Sequence, residues 1–300
     1  MPEQHPKISL IICTYNREKF LGKALQSLTH QTLPAEQFEI LIVNNNATDS
    51  TEQISQAFIE KNPKLNVRYF VETNQGLSYA RNRGMREALG AIITYIDDDA
   101  EAENDFLEQI LAFLEMRPEV AGIGGKIIPK YEGAPPAWMN KYLYGFVTKV
   151  DFGDEMFRYT GKSYPAGCNM TYRRDLLLKV GGFNENLKWR ADDKYIFFAI
   201  HEIDQEIYHL PQAVVQHNID DYRTTDENFI RLSKKFGSEE RIRVLDLGFG
   251  VFLKKVAEFT FKFKASLLLG LLFLLRGEGI KGKYTILYRY HALLGLLSAK

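Results

Sequence analysis

Three hundred residues, 45% of them hydrophobic and 25% charged, allow one large α/β domain with an appendage and exclude a low-complexity or repeat-built chain. Lys plus Arg and Asp plus Glu balance at 38 each, but residues 251–300 carry nine Lys or Arg against Glu258 and Glu278, a net of +7 that leaves −7 on the first 250. Two cysteines, Cys13 and Cys168, lie in apolar stretches and point to a reducing compartment without a disulfide, while a polar N-terminus without an apolar core segment leaves secretion unsupported.

In chain order, residues 7–13 read as a fully buried strand, followed by Thr14-Tyr15-Asn16-Arg17 and a helical pattern through Leu21, Leu25 and Leu28. A second strand, residues 38–43, ends in Asn44-Asn45-Asn46, after which Asp49 or Ser50 caps a helix reaching Lys61. A third strand over 67–71 leads to Asn74-Gln75-Gly76 and an Ala- and Arg-rich helix to Leu89. The fourth, 91–96, ends in Asp97-Asp98-Asp99. Strands alternating with helices predict a parallel sheet covered on both faces, and such sheets bind ligands at the carboxyl ends of their strands. Thr14, Asn44, Asn74 and Asp97 all fall at such ends and are expected to face one crevice.

Three consecutive carboxylates at a strand end do not all stay ionised without a compensating cation, and oxygen ligands at that density suit Mg²⁺ or Mn²⁺. The competing reading is a solvated acidic loop capping the following helix. Asp192-Asp193 likewise reads either as a catalytic pair or as acids favouring the N-terminus of a helix through residues 196–200. His217 reads as a site residue or as a satisfied core histidine.

The ordered set of motifs resembles the family 2 glycosyltransferases, inverting enzymes of GT-A fold that use a nucleotide-diphosphate sugar. The matching stretches are Ser9-Leu-Ile-Ile-Cys-Thr-Tyr-Asn-Arg17, Ile42-Val-Asn-Asn-Asn-Ala-Thr-Asp-Ser-Thr51, Asn74-Gln-Gly-Leu-Ser-Tyr-Ala-Arg-Asn-Arg-Gly84 and Tyr95-Ile-Asp-Asp-Asp99. Pro165-Ala-Gly-Cys-Asn-Met-Thr-Tyr-Arg-Arg174, Gly181-Gly-Phe-Asn-Glu185 and Ala191-Asp-Asp193 follow, so the likeness covers roughly residues 7–220. It implies a Rossmann-like, mostly parallel sheet with helices on both faces, and a catalytic domain over 1–222 with a C-terminal helical region over 223–300.

The resemblance also implies roles. Thr14 and Tyr15 line the nucleoside pocket, Asn16, Arg17, Asn44, Asn46 and Asn74 belong to the nucleotide-sugar site, and Arg81 reaches the base or the diphosphate. Asp97 and Asp99 match the Asp-x-Asp motif, with Asp99 a direct metal ligand, Asp97 on the ribose and sugar side and contributing to the metal site, and Asp98 beside them. His217 matches a histidine that approaches the metal or diphosphate, and Asp193, or alternatively Asp192, is the catalytic base. The family usually has Asp where this chain has Asn44, and Glu where it has Asp192; the amide at 44 keeps one acceptor, gains two donors and loses the charge.

A cation on the leaving diphosphate and a carboxylate to deprotonate the acceptor hydroxyl are the minimum set for sugar transfer, the base contributing ~10²–10⁴-fold. The expected cofactor is Mn²⁺ or Mg²⁺. The expected partners are a nucleotide-diphosphate sugar, a saccharide or lipid-linked acceptor and an anionic membrane surface, with no nucleic acid. A nucleotidyltransferase needs a Gly-rich basic loop after strand one, where Thr14-Tyr-Asn-Arg17 has no glycine, and an aspartyl phosphatase places its acids after the first strand. A non-catalytic sugar-nucleotide binder remains a rival. Asn46-Ala-Thr48 and Asn169-Met-Thr171 match glycosylation sequons but fall inside site motifs and read as accidental.

Two stretches stand outside the alternation. Residues 129–161 are Pro- and aromatic-rich, with Pro135-Pro136-Ala-Trp138, Tyr131, Tyr142 and Tyr144, and read either as a sugar-stacking lid or as a loop with its own hydrophobic cluster. Near the C-terminus, Lys254, Lys255, Lys262 and Lys264 punctuate apolar residues before an apolar run over 265–275, which is short of the ~20 residues that span a bilayer. Basic residues beside an apolar face predict an interfacial segment on the cytoplasmic face of the cell membrane; the alternative is a helical hairpin packed on protein.

Overall fold

The computed structural model describes residues 5–187, 191–203 and 206–298. The described residues divide into two compact units, one of 5–128, 150–186, 191–203 and 206–218, the other of 129–149, 187 and 219–298. Residues 129–149 thus group with the C-terminal residues.

The first unit is built on strands β1 (Ile8–Thr14), β2 (Phe38–Asn44), β3 (Val67–Val71), β4 (Ile92–Asp97), β5 (Ala100–Ala102), β6 (Val120–Tyr131), β7 (Phe157–Arg158), β8 (Asn169–Arg173) and β9 (Glu206–Ile219), apart from the last residues of β6 and β9, which fall in the second. They form one sheet in the order β3-β2-β1-β4-β8-β6-β9-β5, with β7 pairing β9. The β3-β2-β1-β4 half is parallel, as the strand–helix alternation predicts. The β4–β8, β8–β6, β9–β5 and β9–β7 pairings are antiparallel.

β2 is buried at all seven positions because helices cover both faces of the sheet. Alternation along β1 divides the core. Ile8, Leu10 and Ile12 join Leu21 and Leu25 of α1 (Glu18–Ser27), Phe58 of α2 (Thr51–Lys61) and Ile110 of α4 (Phe106–Met116). Ile11 points the other way, to Ala80 and Met85 of α3 (Leu77–Glu87), Leu177 of α5 (Arg174–Lys179) and Ile196 and Phe197 of α6 (Asp192–His201).

Two helix starts cap one another. Asp49 Oδ2 accepts from the Glu18 amide at 2.9 Å, and Glu18 Oε2 accepts from the Ser50 amide at 3.0 Å. Each carboxylate thereby sits at a helix N-terminus, where orphan amides favour negative charge.

The second unit contains α7 (Asp226–Asp246), α8 (Phe249–Leu275) and α9 (Gly279–Leu297), with a 3-10 segment over Lys141–Val147. The Thr225 hydroxyl caps α7 by accepting from the Asn228 amide. Glycines bring its helices close: a Cβ on Gly237 of α7 would lie 1.9 Å from the Ala292 carbonyl oxygen of α9, and one on Gly295 of α9 would lie 2.0 Å from that of Lys234. Trp138 stacks on Tyr284 at 5.2 Å and Phe146 on Phe229 at 4.4 Å, so Trp138 is core. Its ring is therefore unavailable as the sugar-stacking face of a lid, and the hydrophobic-cluster reading of this aromatic stretch applies to it.

Candidate active site

Strand register brings the expected residues to one edge of the sheet. Thr14 of β1 pairs with Asn44 of β2, and Cys13 with Asp97 of β4. β8 runs the opposite way, so its first residue, Asn169, pairs with Ile96 and sets Gly167 at the same edge. After Asp97 the chain turns through Asp98 and Asp99 into β5 rather than into a helix, so the triplet caps no helix. Ala100 pairs with His217 of β9, and the Asn218 amide donates to the Asp99 carbonyl at 2.8 Å. That register explains why His217, remote in sequence, reaches Asp99.

Two charge groupings result. In the first, Arg81 of α3 is buried, with Nη1 2.5 Å from Asp192 Oδ2 and Nη2 3.5 Å from Asp97 Oδ1. Its Nη2 also donates to the Gly167 carbonyl at 3.1 Å, and a Cβ on Gly167 would stand 2.5 Å from that nitrogen. Burial works against the guanidinium charge, but Asp192 and then Asp97 more than offset it, and the pKa of Arg81 rises above the ordinary arginine value. Asp193 turns away from this pair: Oδ2 accepts from the Gly167 amide at 3.1 Å and Oδ1 from the Lys194 amide at 2.7 Å. Burial first, then the Asp192 charge, raise its pKa above the usual carboxylate range. The preceding Ala191 has φ of +112°, a conformation that costs an L-residue of order 1–3 kcal/mol and that persists where surrounding structure enforces it.

In the second grouping, Asp99 Oδ1 lies 3.1 Å from His217 Nε2 and Oδ2 lies 3.5 Å from Arg17 Nη2. Asp98 is buried, and loss of hydration, with the Asp99 charge next, pushes its carboxyl up to about 7 against the opposing pull of Thr14 and Arg17. The Asp97 carboxyl remains 38% exposed although it stands between the two groupings. Restricted hydration raises its pKa, Arg81 lowers it and Asp99 raises it.

The remaining expected residues are arranged around the ends of β1 to β3. Asn44 Nδ2 donates to the Tyr69 hydroxyl at 2.8 Å while its Oδ1 accepts from the Ala47 amide at 2.7 Å. Asn16, at φ +51°, accepts from the Thr48 amide at 2.8 Å. Tyr15 is 48% exposed, and Asn46, at φ +62°, and Asn74 are exposed at the rim.

Asn45, which the sequence pattern does not single out, ties two of these loops together: its Nδ2 donates to the Asn74 carbonyl at 2.7 Å and its Oδ1 accepts from the Gly76 amide at 2.8 Å. The pattern does not single out Tyr69 or Gly167 either. A run of three asparagines gives no sign of which one faces inward. Gly167 carried a signal, since it lies inside a motif already singled out. Asn169 is buried and donates to the Lys126 and Ala213 carbonyls, which suits the accidental reading of its sequon. Asp154 and Asp151 stand 2.6 and 4.0 Å from Lys126 Nζ.

The profile of glycosyl transferase family 2 matches residues 9–181. The chain belongs to this family. Glucosyl-dolichyl phosphate glucuronosyltransferase of Haloferax volcanii is 27% identical to the transferase over 253 residues, covering 80% of this chain and 78% of that protein. Dolichyl N-acetyl-alpha-D-glucosaminyl phosphate 3-beta-D-2,3-diacetamido-2,3-dideoxy-beta-D-glucuronosyltransferase of Methanococcus voltae is 31% identical over 141 residues, 46% of this chain and 44% of that one. Among solved structures, a Pyrobaculum calidifontis mannosyltransferase in complex with GDP-Man and Mn²⁺ superposes with a TM-score of 0.68 at 19% identity, over 98% of this chain and 87% of that one. TarS 1-349 of S. aureus in complex with UDP-GlcNAc gives 0.57 at 20% identity, over 95% and 91%. These likenesses give the GT-A fold, and the family assignment makes the chain a glycosyltransferase.

Proposed function

We propose that the transferase moves a sugar, with inversion at the anomeric carbon, from a nucleotide-diphosphate sugar to a hydroxyl of a saccharide or lipid-linked acceptor. The observation that carries the reading is the separation of charge within one crevice. Asp193 is held by two backbone amides and unpaired with Arg81, whereas Asp192 is ion-paired with it. The Asp192 carboxylate is thereby committed to the guanidinium. Asp193, with its elevated pKa, is suited to take the acceptor proton as the new carbon–oxygen bond forms and the bond to the diphosphate breaks.

Arg81, fixed by Asp192 and Gly167, offers positive charge toward the diphosphate, and Asp97 faces the ribose and sugar. Thr14, Tyr15, Asn16, Arg17, Asn44, Asn46 and Asn74 frame the nucleotide, with Asn44 and Tyr69 as a pair beside the base. Asp98 stays beneath this surface. Carboxylate oxygens and an imidazole nitrogen 3.1 Å from one of them are a donor set that suits Mn²⁺, with Mg²⁺ as the alternative; Asp99 and His217 would hold the ion, with Asp97 adjoining. Such an ion, when bound, stabilises charge on the departing diphosphate. The Mn²⁺ in the mannosyltransferase complex supports this requirement.

The names of the archaeal relatives support an acceptor carried on a lipid phosphate. No helix among the described residues is long and apolar enough to cross a membrane. The C-terminal unit nevertheless exposes Phe261, Leu268, Leu271, Leu274 and Leu275 on a basic segment, which supports peripheral attachment to the anionic cytoplasmic face of the cell membrane.

A transfer assay with UDP-, GDP- and dTDP-sugars tests the reading. One donor class should release its nucleotide on addition of acceptor, and proton NMR of the product should show the opposite anomeric configuration. A product that retains the donor configuration would overturn the single-displacement mechanism.

A further inference from the structure

The second unit contains a cavity of about 380 Å³ lined by the 3-10 segment at Lys141, the last turns of α8 and the start of α9. Its charged lining is wholly basic: Lys141, Arg276 and Lys281. Its apolar wall includes Leu269, Leu272 and Phe273. The Lys141 ammonium lies 5.4 Å over the Tyr142 ring, which itself meets Phe273 edge-on at 6.4 Å. Arg276 is exposed just beyond the end of α8, and among the described residues its guanidinium has no ion-pair partner. Lys281 is held by Glu278, so Lys141 and Arg276 are the cations open to a first contact.

A concave site with convergent cations and no carboxylate in its lining favours an anion, and a guanidinium fork matches phosphate oxygens. The apolar wall narrows the choice of anion. Leu272 lines the cavity and is also half-exposed, and from it the apolar surface continues to Leu268 at 68% and Leu275 at 75% exposure. A free phosphate would leave that surface in water. An amphiphile would cover it.

We propose that this cavity binds the phosphodiester headgroup of an anionic bilayer phospholipid, with the acyl chains along the leucine face of α8. The inference rests on the membrane-attachment part of the proposed function and adds a defined headgroup site to what would otherwise be diffuse attraction.

The test is co-sedimentation of the full-length protein with phosphatidylcholine vesicles doped with phosphatidylglycerol. Two variants of equal charge change are compared, K141A/R276A/K281A in the cavity and K254A/K264A/K283A outside it. Charge-assisted contacts in a formed site should make the cavity variant bind about tenfold more weakly than the control variant, with an unchanged melting temperature. Arg276→Gln alone should give part of that loss, which keeps the test informative if the triple variant folds poorly. Equal weakening of both triple variants would overturn the headgroup site while leaving membrane attachment standing. Failure of the wild type to bind at low salt would overturn the attachment itself. Inorganic phosphate that raises the melting temperature of the wild type without vesicles, but not that of the cavity variant, would make this a soluble-phosphate site and overturn the lipid assignment.

Discussion

Arg81 and the two acids at the start of α6 illustrate how neighbouring carboxylates acquire different tasks from their partners. Asp193→Asn keeps the backbone contacts partly intact and removes the proton acceptor, so kcat should fall by about 10²-fold or more with little change in donor affinity. Asp192→Asn leaves the buried Arg81 with a weakened counter-charge and should lower stability by about 3 kcal/mol, since removing one partner of a buried pair strands the other. Urea unfolding of the two variants beside their kinetics separates these outcomes. Because a base acts only when ionised and burial raises the Asp193 pKa, the acid limb of the rate profile should lie above the ordinary carboxylate value of about 4, with rate climbing as pH rises through it. His209 provides a second, structural pH effect. It is buried beside Tyr159, whose hydroxyl meets its Nδ1 at 3.2 Å, and burial holds its pKa below the ordinary histidine value. The unfolded chain therefore binds the extra proton first, so this contribution is complete above about 6.5 and is lost as pH falls through the window below it. Melting temperatures between pH 8 and 5 should decline less steeply for His209→Gln than for the wild type. Most of these candidate site residues are legible in the sequence because they recur at the carboxyl ends of successive apolar strand segments. The division between Asp192 and Asp193 is not legible, since it depends on where Arg81 arrives from α3.

At the scale of elements, close approaches of backbone govern both units. Gly167→Ala would press a methyl group against the Arg81 guanidinium, so turnover should fall more than stability does; a loss of fold equal to the loss of rate would contradict that placement. Gly295→Ala would drive α9 off α7 and should destabilise the C-terminal unit by about 1–3 kcal/mol, read as faster amide exchange in α9 while nucleotide binding by the first unit persists. The parallel half of the sheet is legible because apolar runs and helical periodicity alternate strictly from residue 8 to residue 97. In the antiparallel half, β5 has three residues and β7 two, too few for a periodic signal, while β6 and β9 are long strands whose partners lie far away in sequence. The pairing of Ala100 with His217, which carries the histidine to the acidic turn, is a long-range register that local pattern does not encode.

At the scale of the whole molecule, the overall charge of zero conceals an acidic catalytic portion and a basic C-terminal one. Membrane attachment through the latter should weaken as salt rises, because exposed charges are screened over roughly 10 Å at 0.1 M. Replacing Leu268, Leu271 and Leu275 by Ser should release the protein from anionic vesicles at low salt as well, since those side chains supply the apolar part. Binding that survives the serine variant would mean that charge alone holds it. In the proposed function, the acidic crevice at the strand ends carries the donor through a divalent cation on Asp99. The most direct test is nucleotide release and binding measured with Mn²⁺, with excess chelator, and in Asp99→Ala. Turnover and metal-dependent nucleotide affinity should disappear together in the last two conditions, whereas transfer that continues unchanged in chelator would mean that no cation on Asp99 carries the donor.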